Sequence, residues 1–344
     1  MDFHSDEENQ ARLDSGPLSR RSLGAIDTHT HYFPAPYRAA IDAAGITHPD
    51  GYHAGVPSWS LDAQLAHMEN LGIETAVLSI STPGVQLANN DPAKVARDAN
   101  EEGAQLARDH PGRLGFFASI PMDGVDRAIA EIEHAYERLG AWGVCLMTHT
   151  NGVYLGDPSL EPVFEALGRY RARVLVHPTE PAAFPAQVMP GWSRSMYEYF
   201  FDTTRTFINL IFSGQLVRNP GVRMIIPHAG SALPALAQRI ERNVKRGNAE
   251  AGQQRYPSMI ESLRSCWFDT AGSVLPHQMA SLLALADPTR ILWGSDFPYT
   301  NAQMGAELCA DMRTSDILTE AQRRAILRDN ALALFADKLP ATAG

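Results

Sequence analysis

The chain has only three cysteines among 344 residues, Cys145, Cys266 and Cys309, and no Cys-x-x-Cys pair. So sparse and odd a set gives no basis for a disulfide framework and fits buried, inert thiols in a reducing compartment. Long apolar runs are missing too. No stretch approaches the roughly 20 consecutive apolar residues that a membrane-spanning helix needs. Residues 1–22 are polar and acidic and lack the apolar centre of a secretory signal, so they read as a disordered leader, and the cytoplasm is the default location. Positive charge is in short supply, with 29 Lys and Arg against 39 Asp and Glu and a formal net charge of −10. A field of that sign repels phosphate backbones and argues against a nucleic-acid partner. A Gly-x-Gly-x-x-Gly turn is absent after the first apolar run, which removes the main support for an open, dinucleotide-binding sheet.

What the chain does have is an alternation. Eight short apolar runs end in polar or small residues: 23–27, 75–80, 114–119, 143–147, 173–177, 222–227, 266–269 and 290–295. They lack strict period-2 patterning, as expected of parallel strands covered on both faces. Helical patterns lie between them, at 125–139, 160–170, 196–217, 233–244 and 275–286. Another begins behind Ser60, a plausible N-cap, with Leu61, Leu65, Met68 and Leu71 on one face. The last, 320–335, starts at Thr319 with Gln322 three residues on, a capping box. The alternation predicts an α/β fold, a closed (β/α)8 TIM barrel over residues 23–336 with a short tail at 337–344. One connection is abnormally long. Residues 32–59, rich in Pro, Gly, Tyr and His, form an insertion after the first strand and read as a lid. Residues 178–195, with Pro178, Pro181, Pro185, Pro190 and Trp192, are a second candidate wall.

The chemistry-bearing residues gather at the ends of these runs. His29 and His31 sit at i and i+2 on the first strand and so point to one side. His177 closes the fifth run, His228 follows the sixth and Asp296 follows the eighth. Each residue alone has an ordinary structural reading, as a satisfied core histidine or a helix N-cap. Together, five metal-competent side chains stand at strand C-termini, where barrels of this kind carry their active sites. Imidazoles with one carboxylate suit one Zn²⁺ and leave a coordination position open; Mn²⁺ is compatible with the same donors. The fourth run offers no lysine or glutamate to bridge a second ion, so one divalent metal is expected, with no organic cofactor.

Four motifs extend this reading. Asp-Thr-His-Thr-His-Tyr-Phe-Pro (27–34), Val-His-Pro (176–178), Pro-His-Ala-Gly-Ser-Ala-Leu-Pro (227–234) and Trp-Gly-Ser-Asp-Phe-Pro-Tyr (293–299) occur in one order. In that order they resemble the amidohydrolase superfamily and, more narrowly, its aminocarboxymuconate-semialdehyde decarboxylase-like branch. Segments 45–52, 78–85 and 150–158 look most like the 6-methylsalicylate decarboxylase group, and the γ-resorcylate decarboxylases are the next resemblance. The resemblance implies that His29, His31, His177 and Asp296 hold the metal. It further implies that His228 handles a proton, and that the reaction is loss of CO₂ from a small aromatic carboxylate without an organic cofactor; Asp296, protonated on substrate binding, is the candidate for delivering the proton to carbon. It also implies a homodimer, and Arg239 matches an arginine that in some relatives enters the partner's site; its ordinary structural reading is a helix-surface residue in an ion pair. The insertion departs from the muconate-semialdehyde enzymes, because 56–59 carries no arginine for a second carboxylate. Its aromatic character, with Tyr32, Phe33, Tyr52 and Trp59, favours a flat ring; Phe33, Trp59 and Phe297 are the expected ring contacts. Two competing readings share the site: hydrolysis of a lactone or amide by an activated water, and decarboxylation of 2-amino-3-carboxymuconate semialdehyde. A metal-binding barrel without activity is the third.

Overall fold

The computed structural model of the chain describes residues 4–339. Seven parallel strands run in sequence order around one sheet: β1 (Ala25–His31), β2 (Ile73–Ser79), β3 (Leu114–Ser119), β4 (Gly143–Met147), β5 (Arg173–His177), β6 (Arg223–Ile226) and β7 (Trp267–Phe268). The eighth run contributes single parallel bridges rather than a strand. Ile291 pairs with Phe268 on one side and Trp293 with Asp27 on the other. Those bridges close the sheet into the expected (β/α)8 barrel. All seven residues of β1 are buried, which explains the lack of period-2 patterning.

The barrel interior is filled from the strands. Ile26, Val77, Phe117, Cys145, Leu175, Ile225 and Leu292 form one apolar cluster, sealed by Trp142 and Phe335. Arg173 fixes the seal by donating to the carbonyls of Leu334 (2.9 Å) and Trp142 (3.1 Å). A second, larger cluster lies between the strands and the surrounding helices. The three cysteines are free and buried.

Most helices stand where apolar periodicity placed them. The helix Leu61–Leu71 is capped by Ser60, and Thr319 forms its capping box with Gln322. The 196–217 pattern is broken at Gly214 into Glu198–Phe212 and Gln215–Arg218. Two helices had no strong stripe to reveal them. Pro92–Asp109 and Ala302–Thr314 bury mainly small residues, such as Ala96, Ala99 and Gly103 in the first and Gly305, Ala306 and Ala310 in the second.

One expectation is corrected. Within the expected disordered leader, the described residues are ordered: Asp6–Leu13 is a helix with a Ser5–Glu8 capping box. It packs on the helix Ala302–Thr314, with Leu13 fully buried and Arg12 paired to Asp311 at 2.6 Å. Residues 1–3 lie outside the described residues, as do 340–344 of the tail. The 32–59 insertion has local structure of its own. It holds the helix Ala35–Ala43, which carries Arg38, and a turn at Pro49–Gly51.

Leu13→Ala is expected to lower unfolding free energy by about 2–5 kcal/mol in a denaturant titration. An unchanged midpoint would show that the leader helix contributes nothing to the barrel.

Candidate metal centre and cavity

The C-terminal rim of the barrel brings five side chains to one point. His29 and His31, two residues apart on β1, present their Nε2 atoms 3.2 Å from each other. His177, the last residue of β5, places its ring 4.8 Å from that of His31 and 5.5 Å from that of His29. Asp296 follows the eighth segment, and its Oδ1 lies 3.2 Å from His31 Nε2 and 3.7 Å from His29 Nε2. The candidate ligand atoms of His29, His31 and His177 lie within 4.8 Å of one another, as do those of His29, His228 and Asp296.

The outward nitrogens decide what this cluster can do. His29 Nδ1 is 2.8 Å from an Asp269 carboxylate oxygen, His31 Nδ1 is 3.1 Å from Ser79 Oγ, and His177 Nδ1 is 2.7 Å from the Pro178 carbonyl. A carboxylate and a carbonyl can only accept, so Nδ1 of His29 and His177 carries the proton. Ser79 Oγ donates to the Thr30 carbonyl and is left to accept from His31. All three Nε2 lone pairs therefore face inward, beside a carboxylate. Four electron-rich groups at this separation repel one another unless a cation lies among them. This donor set fits a divalent metal, and the outward hydrogen bonds are the ones that orient metal-binding histidines.

Electrostatics agree for His31 and His177, while His29 gives up its lone pair to a proton unless a cation takes the proton's place. Burial holds the imidazoles of His31, His177 and His228 below their ordinary range, keeping them neutral. Burial also opposes charge on His29 and Asp269, but their mutual attraction outweighs it, lifting His29 to about 9 and lowering Asp269. For Asp296 burial is again outweighed, here by His31, His29 and His228, and its carboxyl lies well below the usual range. Beneath the cluster, Asp27 accepts from the backbone N–H of His29 (3.1 Å) and of Ser295 (3.0 Å), and burial pushes its carboxyl up to about 7.

His228 differs from the other three histidines. Its backbone N–H donates to Asp269 (3.0 Å), but among the described residues no hydrogen bond fixes either ring nitrogen. The ring stands 5.2 Å from that of His29 and 5.8 Å from that of Phe200, facing the cavity. His228, Ala229, Ser231 and Asp296 all have positive φ, between 51° and 59°. Such strain at non-glycine positions is concentrated where the loops turn functional groups inward.

Above the cluster opens a cavity of ≈ 680 Å³, bounded by His177, His228 and Asp296 at its floor and by Tyr52, Tyr199, Phe200 and Tyr299 on its walls. The insertion does contribute a wall, through Pro49 and Tyr52. Asp50 pins it there, accepting on one oxygen from Thr82 Oγ1 (2.5 Å), Tyr199 Oη (2.6 Å) and the Glu180 backbone N–H (2.9 Å).

The expected ring contacts do not line this cavity. Phe33 is buried against Tyr37 and Tyr299. Trp59 turns to Tyr32 and donates to Gln64 Oε1 (3.3 Å). Phe297 is stacked on His67 with ring centroids 4.3 Å apart. In each case the core claims the ring. Arg239 is exposed on the helix Leu233–Ala251, away from its own chain's cavity. Asp269 was missed, although it ends the seventh run and bore the same signal as the five residues singled out. Tyr199 and Phe200 gave no signal, because only the seating of the helix Glu198–Phe212 turns them toward the rim.

Comparison with known proteins adds five findings. The amidohydrolase family profile matches residues 26–336. A decarboxylase of Aspergillus niger is 34% identical, covering 91% of this chain and 88% of its own length. A 6-methylsalicylic acid decarboxylase of Penicillium expansum is 33% identical, covering 80% and 85%. Among solved structures, an amidohydrolase II superposes with a TM-score of 0.86 at 34% identity, over 91% of this chain and 100% of the other. The fold is shared by the 5-carboxyvanillate decarboxylase of Novosphingobium aromaticivorans, solved with manganese and 4-hydroxy-3-methoxy-5-nitrobenzoic acid. Its TM-score is 0.80 at 20% identity, over 94% of this chain and 98% of the other.

Asp269→Asn is expected to weaken metal affinity about 10- to 100-fold in a chelator-competition titration, because it leaves His29 without its outward acceptor. Unchanged affinity would remove Asp269 from the metal centre.

Proposed function

This chain belongs to the amidohydrolase family, and on that premise we propose that it is a metal-dependent, non-oxidative decarboxylase of a small salicylate-type acid. The metal is one divalent ion held by His29, His31, His177 and Asp296. The donor types favour Zn²⁺, and Mn²⁺ fits the same set. The observation that carries the reading is the pairing of this donor set with a cavity whose described lining has no lysine or arginine. A substrate carboxylate finds no protein cation there. Its charge must be met at the floor of the cavity, and the apolar walls favour its departure as neutral CO₂. The same absence argues against an aliphatic dicarboxylate such as the muconate semialdehyde. The decarboxylases that cover most of this chain at 33–34% identity support the same class.

Bound metal supplies Lewis-acid charge stabilisation and a fixed anchor for the carboxylate and its ortho oxygen. The chain's own residues do the rest. Asp296 starts as a carboxylate and takes the phenolic proton as substrate binds. It then delivers that proton to the ring carbon bearing the carboxylate, giving a dienone. The bond to CO₂ breaks, its electron pair restores the aromatic ring, and the phenolate takes a solvent proton on release. His228, neutral and unanchored beside His29, is placed to share proton handling with Asp296. The Tyr52 and Tyr199 walls, clamped through Asp50, exclude water from the ring. Arg239 can act only on the site of a second copy of the chain.

With salicylate and 6-methylsalicylate, the protein is expected to release CO₂ without taking labelled solvent oxygen into the organic product. Label uptake without CO₂ would mean hydrolysis. Chelation should abolish turnover, and Zn²⁺ or Mn²⁺ should restore it. Asp296→Asn should retain part of the metal but lose about 10²- to 10⁴-fold in kcat. Full activity in a metal-free His29→Ala protein would overturn the scheme.

A further inference from the structure

The cavity is much larger than a substituted benzoate. About 150 Å³ is enough to hold a benzene ring, against ≈ 680 Å³ here. The excess is not spread evenly. The polar floor lies at His177, His228 and Asp296, while other lining residues form an apolar wing. Met304 and Leu308, one turn apart on the helix Ala302–Thr314, share a face directed at the cavity. Val274, Phe200 and Met196 also line the cavity. Met196 and Met304 are 53% and 46% exposed, so the lining reaches solvent there.

The tyrosine hydroxyls on the walls are already engaged. Tyr52 Oη donates to the Tyr299 carbonyl (3.0 Å), and Tyr199 Oη donates to Asp50 (2.6 Å). Tyr299 Oη accepts from Ser81 (2.9 Å) and donates to the Thr82 carbonyl (3.4 Å). The three tyrosines therefore present rings, not hydroxyl donors, to whatever lies between them. A second ring hydroxyl directed at the tyrosine rings or into the apolar wing would lose its water and find no donor there, whereas an alkyl chain gains by leaving water. The methionines add an adaptable, polarisable surface suited to a flexible chain.

We propose that the substrate is an ortho-hydroxy aromatic acid bearing an alkyl side chain longer than methyl, with that chain lying in the wing formed by Val274, Met304 and Leu308. This rests on the decarboxylase reading above and specifies its substrate class.

The test measures kcat/KM of the metal-loaded, full-length protein for salicylate, 6-methylsalicylate, 4- and 6-pentylsalicylate and 2,6-dihydroxybenzoate. One pentyl isomer is expected to exceed 6-methylsalicylate by about tenfold or more, as burial of added methylenes requires, and 2,6-dihydroxybenzoate should be the poorer substrate. Leu308→Trp, which fills the wing, should bring the pentyl-to-methyl ratio down to about one or below. Turnover of salicylate and 6-methylsalicylate with neither pentyl isomer above them would overturn the wing and leave the decarboxylase standing. No CO₂ from any of the five acids would overturn the decarboxylase itself.

Discussion

Three imidazole lone pairs and a carboxylate held a few ångströms apart in a buried place repel one another, and the rest of the site follows from that. The arrangement is enforced from outside the cluster. Asp269, Ser79 and the Pro178 carbonyl each take one histidine by its outer nitrogen and turn the inner one toward the centre. Burial keeps His31 and His177 neutral, so protons are poor substitutes for a metal cation there. A divalent ion relieves the repulsion of all four groups at once while leaving the outward hydrogen bonds intact. The partners in those bonds stand on or one residue beyond the strand ends, which gives the centre its rigidity.

The barrel supplies that rigidity by closing. Two single bridges from the eighth segment join β7 to β1, and Asp27 ties the same segment to His29 through one carboxylate oxygen. The far end of the barrel is stoppered by Phe335 and Trp142 under Arg173. Flexibility is left to the connections above the rim. There the insertion is rooted in the core through Phe33, Tyr37 and Ile41 and pinned at its turn by Asp50, and positive-φ residues turn His228 and Asp296 inward. Scaffold and cover thus divide the work: the strands fix the donors, and the connections shape the space above them.

The metal donors were legible in the chain because each directly follows an apolar run, so one local signal reports both the strand and its chemically active end. The fold was legible for the same reason. Elements built on small residues were not. Pro92–Asp109 and Ala302–Thr314 bury alanine and glycine, which give little hydrophobic contrast. The leader helix Asp6–Leu13 has a weak apolar face, and its Ser5–Glu8 capping box was its one strong mark. The cavity walls were least legible. Phe33, Trp59 and Phe297 are aromatic residues near the right motifs, yet His67, Gln64 and Tyr37 engage them, while Tyr199 and Phe200 arrive from a helix distant in sequence. Which way a ring turns depends on neighbours brought in by the fold, and periodicity does not record that.

The central claim is that His29, His31, His177 and Asp296 bind one divalent ion through inward-facing Nε2 atoms and a carboxylate oxygen. Anomalous diffraction from crystals of the metal-loaded protein addresses it directly. The account predicts one peak per chain, about 2.0–2.2 Å from the Nε2 atoms of the three histidines and from an Asp296 oxygen. A peak bonded to Nδ1 atoms, or loaded crystals with no peak at this point, would contradict it.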